Sequence, residues 1–148
     1  MNSTMNRFHS QRGFTLLEII VVVAIIAILA AYIAPKVAGR VDDARISKAK
    51  SDIRVLESSL ELYKLDNFTY PSTDQGLDAL VNKPGGAELK NWRKGGYIKK
   101  LSKDPWGNDY QYQFPGSNGE FDIFSLGADA AVGGSDEAAD IGNWNLDA

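Results

Sequence analysis

The sequence predicts an α+β fold in which one long N-terminal α-helix packs on a small antiparallel β-sheet. Three observations lead to this prediction: an apolar run near the start, a helical spacing of apolar residues directly after it, and two alternating polar and apolar runs near the end. The chain has 148 residues, which is enough for one anchor and one small domain. We therefore expect a leader at residues 1–13, a hydrophobic helix at 14–35 and a folded domain at 36–148.

The first element is an apolar segment that runs from Phe14 to Ala34. Only three of its 21 residues are polar, and at about 1.5 Å per residue a helix of this length crosses the roughly 30 Å hydrocarbon core of a bilayer. A secretory signal peptide would have a shorter apolar core and a small-residue cleavage site, whereas this run leads into Pro35. The segment is therefore predicted to span a membrane, but the charges on its flanks do not decide its orientation.

One acidic residue, Glu18, interrupts the apolar segment five residues after Gly13. A carboxylate in hydrocarbon is costly unless it is neutralised or paired, so we expect Glu18 to have a cationic partner. No Lys or Arg lies between Arg12 and Lys36, but cutting the chain after Gly13 would free an α-amino group on Phe14. That amine could pair with Glu18 of its own helix or, with better geometry, of a neighbouring copy. The alternative is a protonated Glu18 near the membrane surface that has no role in assembly.

An amphipathic helix is predicted over residues 36–65, directly after the apolar segment. Apolar residues recur there at alternating steps of three and four, as one face of a helix requires. These residues are Ile46, Ala49, Ile53, Leu56, Leu60 and Tyr63. The other face carries charged residues to which we assign no catalytic role. We expect a single helix from about Phe14 to about Leu65, with a kink or a softened stretch near Pro35 and Gly39.

The rest of the chain is predicted to form a loop region and a small sheet. Within residues 66–104 we expect a short helix at 75–81, which ends before the sequence PGG. Within residues 105–148, alternating runs at 110–114 and 121–125 flank the turn-rich sequence PGSNG and predict a β-hairpin. The tail sequence DIGNWNL could add a third strand.

An acidic stretch rich in glycine and alanine, GADAAVGGSDEAADIG, follows Leu126. Its four carboxylates fall within twelve residues and belong to Asp129, Asp136, Glu137 and Asp140. Calcium takes about six to eight oxygen ligands from carboxylates and carbonyls of such flexible loops. We therefore consider a calcium site here, although the spacing is not that of an EF-hand, and the alternative is a solvated acidic loop. Since the carboxylates repel one another without a metal, calcium would act as a structural staple.

The composition argues against several classes of function. The chain has no cysteine, and its only histidine, His9, lies in the leader that we expect to be removed, so neither side chain is expected to act in the mature protein. The net charge of −3 argues against nucleic acid as a partner. We expect no enzymatic activity. A disfavoured alternative is a hydrolase that uses two carboxylates from the set Asp104, Asp109, Asp122 and Asp129. Another is a calcium-dependent binding module that uses Trp92, Trp106 and Trp144.

Two sets of motifs make the chain resemble a known family. The sequence GFTLLE, preceded by a short basic leader and followed by the apolar run to Pro35, is similar to the class III signal of type IV pilins and pseudopilins. The segments YKLDNFTYPSTDQGLDALV, DPWGNDYQY, FDIFSLGAD and DIGNW resemble the major pseudopilins of type II secretion systems. Pilins of true type IV pili usually carry a cysteine-closed loop, which a chain without cysteine cannot form. The resemblance therefore implies a type IV pilin-like fold and a structural subunit of a type II secretion pseudopilus.

The resemblance implies how the N-terminal segment is processed and oriented. A prepilin peptidase in the inner membrane would cut after Gly13 and methylate the new N-terminal Phe14. Glu18 would be the assembly carboxylate, and Pro35 matches the helix-breaking proline of the family. The leader would stay in the cytoplasm while residues 36–148 face the periplasm, so that the unassembled chain is a single-pass inner-membrane protein.

The resemblance also implies a calcium site in the acidic stretch. The matching positions are Asp129 and Asp140 for side-chain ligands, and Leu126 and Ser135 for nearby carbonyl oxygens. Some relatives have a further acid where this chain has Ala138 and Ala139. Asp136, a carbonyl or a water is expected to take the place of that acid.

The implied partners are other copies of the chain in a helical homopolymer, minor pseudopilins, the prepilin peptidase, an inner-membrane platform with its secretion ATPase, and an outer-membrane secretin. The filament would push folded proteins across the outer membrane. The sequence contains no ATP-binding loop, so the motor has to be another protein. Subunits of type IV pili or of competence pseudopili are the alternatives. Because minor tip subunits often lack or alter the glutamate, Glu18 favours a repeating body subunit.

Overall fold

The computed structural model describes residues 13–85 and 89–147, and for residues 36–38 it describes the backbone alone. One long helix is followed by three short strands: α1 (Leu16–Asn67), β1 (Gln111–Gln113), β2 (Asp122–Ser125) and β3 (Ile141–Gly142). Two 3₁₀-helices, Leu77–Leu80 and Asp136–Ala138, lie in the connecting loops. The predicted α+β fold is confirmed. The predicted leader lies outside the described residues except for Gly13.

The chain divides into two compact units, Met1–Arg40 and Val41–Ala148, and α1 contributes to both. Within the first unit, the described residues 13–35 are all exposed. The second unit contains every residue of the hydrophobic core, from Ala49 to Leu146.

α1 confirms the predicted single helix and extends two residues beyond its predicted end, to Asn67. Pro35 lies inside the helix and does not end it. A proline in a helix interior removes one backbone hydrogen bond and disturbs the turn before it, which good helix formers on both sides can tolerate. The kink expected near Pro35 and Gly39 stays a prediction.

The second half of α1 supplies one wall of the hydrophobic core. Its predicted apolar stripe is buried: Ala49, Ile53 and Leu60 are 0 % exposed, while Ile46 packs at the edge. The rest of the core comes from loops and strands, namely Tyr70, Leu77, Ala79, Leu80, Tyr110, Phe121, Ile123, Ile141 and Leu146. The helical spacing of the sequence therefore identified the face of α1 that packs on the domain.

The sheet has the strand order β1-β2-β3, and both pairs are antiparallel. Tyr112 faces Ile123 across the first pair, so the predicted hairpin is confirmed. β1 is shorter than its alternating run because the backbone of Phe114 bonds the Thr73 hydroxyl, at 3.0 Å from the amide and 2.9 Å from the carbonyl, and is not paired with β2. The suggested third strand is present as β3, which pairs with β2 through Ile141 and Gly142.

The short helix predicted at residues 75–81 is present as a 3₁₀-helix over Leu77–Leu80, which is shorter than predicted at both ends. Gly76 precedes it with a positive φ of 59°, which an α-helix cannot include. The Ser72 carbonyl accepts the N–H groups of Gln75 and Gly76, both at 3.0 Å, and so forms a turn ahead of the helix. Three residues per turn place Leu77 and Leu80 on the same face, and both are buried.

Candidate assembly helix and acidic loop

The predicted processing site lies in an exposed segment just before α1. Gly13 and Phe14 are both exposed and outside the helix. A Cβ on Gly13 would meet no atom of a described residue within 4 Å, and the Phe14 side chain is 78 % exposed. Both residues of the Gly13–Phe14 peptide bond are therefore exposed among the described residues, and cleavage of this bond stays a prediction.

Thr15 caps the N-terminus of α1. Its Oγ1 accepts a hydrogen bond from the Glu18 N–H at 3.2 Å. The sequence from Thr15 to Glu18 has the spacing of a capping box, and a negative charge in the first turn also interacts favourably with the helix dipole. Sequence reasoning identified Glu18 from its isolated charge but missed Thr15. The signal that could have found Thr15 is a threonine followed three residues later by a glutamate, just before an apolar run.

The first part of α1 presents an extensive apolar surface. Its large apolar side chains from Leu16 to Ile33 are between 48 % and 79 % exposed. The helix is long and apolar enough to cross a membrane, and its most apolar stretch is not buried in the described structure. Within the described residues Glu18 has no ion-pair partner, and Pro35 is exposed like the residues before it. Such a surface requires an apolar environment, which lipid or the helices of other copies can provide.

The acidic loop, residues 126–140, connects β2 to β3 and folds back on itself. The Ala128 N–H donates to the Glu137 carbonyl at 2.8 Å, and the Asp140 N–H donates to the Gly133 carbonyl at 3.1 Å. Gly133 has a φ of 101°, a conformation that a residue with a side chain rarely adopts. Backbone contacts therefore shape this loop.

The two carboxylates predicted as calcium ligands have different surroundings. Asp129 Oδ1 accepts a hydrogen bond from the Ala131 N–H at 3.0 Å, and Asp140 Oδ2 accepts one from the Gly133 N–H at 2.9 Å. The other oxygen of Asp140, Oδ1, is buried and has no hydrogen-bond partner in the described part of the chain. A buried carboxylate oxygen without a donor is unfavourable, and a cation would satisfy it.

The four acidic side chains of the loop do not form one cluster. Among the residues that the structure describes, no three His, Asp or Glu side chains lie close enough to hold a metal ion together. Ser135 and Asp136 are exposed, whereas Leu126 is half-buried. The structure therefore does not bring Asp136 to Asp129 and Asp140. A calcium ion would fit only if backbone oxygens or waters supplied most of its ligands.

Glu137 contacts α1 and lies outside the predicted ligand set. Its Oε2 lies 3.7 Å from Arg45 Nη1, which also lies 3.5 Å from Asp42 Oδ1. Partial burial and the neighbouring carboxylate of Asp42 raise the pKa of Glu137. Sequence reasoning missed this link between the acidic loop and α1, because the two segments are far apart in the chain.

The acids considered for hydrolysis have structural partners. Asp104 is buried and accepts a hydrogen bond from Ser125 Oγ at 2.6 Å. Asp122 is buried and accepts the Ser117 N–H at 2.8 Å, while Asp109 forms an ion pair with a nearby lysine. The oxygens of Asp104 and Asp122 thus hold turns and strands, and Asp109 is paired at the surface, which leaves this alternative without support.

The three tryptophans also pack within the domain. Trp92 donates its Nε1–H to the Ala79 carbonyl at 3.0 Å, and Trp106 is half-buried at the edge of the core. Trp144 packs on Phe124 with ring centroids 5.7 Å apart. Packing therefore accounts for Trp92 and Trp144, whereas the buried Nε1–H of Trp106 has no hydrogen-bond partner among the described residues.

Comparisons with known proteins identify the family. Residues 36–144, more than half of the chain, match the family described as type II secretion system protein G. The chain belongs to this family. Residues 8–34 match the prokaryotic N-terminal methylation motif, which includes Gly13, Phe14 and Glu18.

Several protein G relatives are similar to the chain along nearly its whole length. The type II secretion system core protein G of Pseudomonas aeruginosa is 60 % identical over 138 residues, which are 93 % of this chain and 97 % of the relative. The core protein G of Vibrio cholerae is 56 % identical over 142 residues, 96 % of this chain and 97 % of the relative. The crystal structure of the major pseudopilin from the type 2 secretion system of enterohaemorrhagic Escherichia coli matches with a TM-score of 0.64 and 49 % identity, over 72 % of this chain and 92 % of that chain.

These similarities confirm the predicted major pseudopilin of a type II secretion system and its pilin-like fold. As a member of the protein G family, the chain is a structural subunit and not an enzyme. Its apolar N-terminal helix is consistent with anchoring in the inner membrane.

Proposed function

We propose that this member of the protein G family is the repeating subunit of a pseudopilus whose copies stack through their N-terminal helices. Before assembly, residues 14–35 would anchor the chain in the inner membrane with residues 36–148 in the periplasm. The growing filament would drive the export of folded proteins across the outer membrane. The observation that carries this proposal is the exposed apolar surface of α1, which holds one carboxylate, Glu18, in its first turn.

Pairing between the N-terminus of one copy and Glu18 of the next would determine how the copies stack. Once the chain is cut after Gly13, the α-amino group of Phe14 can neutralise Glu18 of a neighbouring copy. An unpaired carboxylate is costly in lipid, so polymerisation would lower the free energy of the buried charge. A contact between two different patches on successive copies does not close on itself and therefore produces a filament.

Glu18→Gln tests the charge separately from the helix cap. Glutamine keeps the size of the side chain and its ability to complete a capping box, but it loses the negative charge. We expect Glu18→Gln and Glu18→Ala to be cut after Gly13 and yet to form no filaments. The measurements are the mass of the N-terminus and electron microscopy of cells that overproduce the chain with its secretion machinery. Normal filaments from Glu18→Gln would contradict the pairing.

Thr15→Ala is the matched control for this experiment. It removes the hydrogen bond to the Glu18 N–H and weakens the start of the helix by about 1 kcal/mol, but it keeps the carboxylate. We expect filament formation to survive in Thr15→Ala, at a reduced level at most. Filaments from Glu18→Gln but not from Thr15→Ala would show that the cap matters and the charge does not.

The proposed partners follow from the protein G family. A prepilin peptidase would act on the Gly13–Phe14 bond, whose two residues are exposed. Minor pseudopilins, an inner-membrane platform with its ATPase and an outer-membrane secretin would complete the machinery. Since the sequence has no ATP-binding loop, the ATPase would supply the work.

Calcium is proposed as a structural ion of the acidic loop. The ligands would be the side chains of Asp129 and Asp140 with carbonyl oxygens near Leu126 and Ser135. The buried Oδ1 of Asp140, which has no donor among the described residues, supports this proposal. Asp136 is exposed and would contribute only after the loop rearranges. The ion would bring positive charge to carboxylates that otherwise repel one another.

Chelation tests the calcium proposal. EDTA should lower the melting temperature of the wild-type chain, because an ion at about 100 times its Kd stabilises the folded state by about 2.7 kcal/mol. Asp140→Ala should melt at a lower temperature in calcium and should no longer respond to EDTA. Asp74→Ala, which removes an exposed carboxylate outside the loop, should respond like the wild type. A wild-type melting temperature that EDTA leaves unchanged would contradict the proposal.

A further inference from the structure

The loop between β1 and β2 contains the only Asn-Gly pair in the sequence, Asn118-Gly119. Both residues are exposed. The Gly119 N–H makes no hydrogen bond to any described residue, whereas the nearby Gly116 N–H donates to the Glu120 carbonyl at 3.1 Å. The Gly119 nitrogen is therefore open to water and free to react.

An asparagine followed by glycine can lose its side-chain amide without an enzyme. The backbone nitrogen of the glycine attacks the asparagine Cγ, a new N–Cγ bond forms, the Cγ–Nδ2 bond breaks and ammonia leaves. Water then opens the resulting succinimide at either carbonyl and gives aspartate or isoaspartate. Glycine favours the attack because it has no Cβ to hinder the approach. We propose that Asn118 is a site of such deamidation, with water as the only co-reactant.

The product would disturb a buried carboxylate. Asp122 is only 3 % exposed, and its Oδ2 accepts the Ser117 N–H at 2.8 Å, the Asn118 N–H at 3.1 Å and the Asn118 side-chain amide at 3.1 Å. Deamidation replaces the amide donor with a second carboxylate. Asp122 thus loses one hydrogen bond and gains a like charge. Isoaspartate also adds a carbon atom to the backbone path, which displaces the loop from Asp122.

The disturbance would extend to α1 through Glu120 of the same loop. Glu120 forms an ion pair with Lys64 near the end of α1, and it accepts a hydrogen bond from the Tyr70 hydroxyl at 3.3 Å. A loop that no longer fits Asp122 would not hold Glu120 at these partners. A deamidated subunit would therefore have a weaker link between the hairpin and the helix.

Gly119→Ala provides a variant that should keep the fold and block the reaction. An alanine Cβ would meet only the Phe121 carbonyl oxygen, at an ordinary distance of 3.6 Å, and the backbone of Gly119 is not in the left-handed region. The full chain in detergent would be incubated at mildly alkaline pH and mapped by peptide mass spectrometry. We expect progressive conversion of the wild-type peptide to its aspartate and isoaspartate forms, and no conversion of Gly119→Ala in the same time. A folded wild-type chain that stays unconverted while the urea-unfolded chain is converted would overturn the proposal.

Asn118→Asp tests the consequence of the reaction. It should lower the melting temperature by several degrees, because it places the new carboxylate at Asp122. Asn91→Asp is the matched control, since Asn91 is exposed and has no hydrogen bond to a described residue, and its melting temperature should not change. Equal melting temperatures for Asn118→Asp and the wild type would overturn the proposed effect on stability. If Asn118→Asp fails to fold, the conversion experiment still tests the site.

Discussion

Glu57 shows how one partly buried charge on α1 affects stability. Burial raises its pKa, and Glu61 one turn away acts in the same direction. A hydrogen bond from Asn143 and the charge of Arg54 oppose the rise but do not cancel it. The ionised form is therefore less favourable in the folded chain than in the unfolded chain.

We predict that Glu57→Gln stabilises the protein at neutral pH but not at acidic pH. A raised folded pKa means that the stability linked to Glu57 is fully present below the ordinary pKa of a glutamate and is lost as the pH rises through the raised value. The gain should stay below about 1 kcal/mol because the side chain is largely solvated. Melting temperatures of the two proteins across this pH range would show the difference. If Asp74→Asn, at an exposed carboxylate, gave the same pH-dependent gain, general charge would be the cause and not Glu57.

Individual site residues were predictable where their chemistry stands out in the sequence. Glu18 was identifiable because it is the only charge in an apolar run. The sequence could not show that Asp140 has a buried oxygen without a donor, because that depends on how the loop folds back on Gly133. It also could not show that Glu137 contacts Arg45, since such pairs depend on the tertiary fold.

At the level of elements, α1 serves two environments along its length. Its first part exposes apolar side chains all around, whereas its second part buries a single stripe against the domain. Of the second part, Ile53 and Leu60 are completely buried, but Val55 is 57 % exposed. The contribution of α1 to the stability of the domain should therefore come from this stripe and not from the exposed face.

We predict that Leu60→Ala lowers the free energy of unfolding by about 2–5 kcal/mol, the usual cost of a large-to-small change in a packed core. Val55→Ala on the exposed face should change it by less than about 0.5 kcal/mol. Urea unfolding of both variants measures the two values. Similar losses from both would mean that the helix does not pack through the predicted stripe.

Periodicity predicted the elements well, and backbone irregularities explain the errors. α1, the hairpin and the third strand follow from spacing of apolar residues and from turn sequences. The helix predicted at residues 75–81 begins only at Leu77 because Gly76 adopts a positive φ that a pattern of apolar residues does not reveal. β1 is short because Thr73, distant in sequence, bonds the backbone of Phe114.

At the level of the whole molecule, the two units differ in where their apolar side chains lie: exposed in the first unit and packed into a core in the second. The described part of Met1–Arg40 buries none of residues 13–35, whereas Val41–Ala148 contains the complete core. The sequence has a matching contrast, since a single apolar run precedes a polar remainder. The ligand set of the acidic loop was less predictable, because backbone carbonyls carry no sequence signature.

We predict that a fragment beginning at Val41 folds without detergent, because no described side chain before Ile46 packs in or against the core. It should be monomeric by size-exclusion chromatography and should unfold in one cooperative transition. The full chain should need detergent or lipid to stay soluble. A fragment without a cooperative transition would show that the domain depends on the preceding helix for its stability.

The cap at Thr15 has a consequence for the proposed cleavage after Gly13. Thr15 closes the first turn of α1 through a hydrogen bond to Glu18, and both residues lie in the segment that would remain after the proposed cleavage. Trimming at Gly13 would therefore leave the shape of the helix end unchanged and add a single ammonium group. Maturation would then differ from that of a zymogen, whose cleavage remodels the fold. A growing fibre would then distinguish mature copies from precursors by the new ammonium group and by the missing leader. The helix itself would be the same in both.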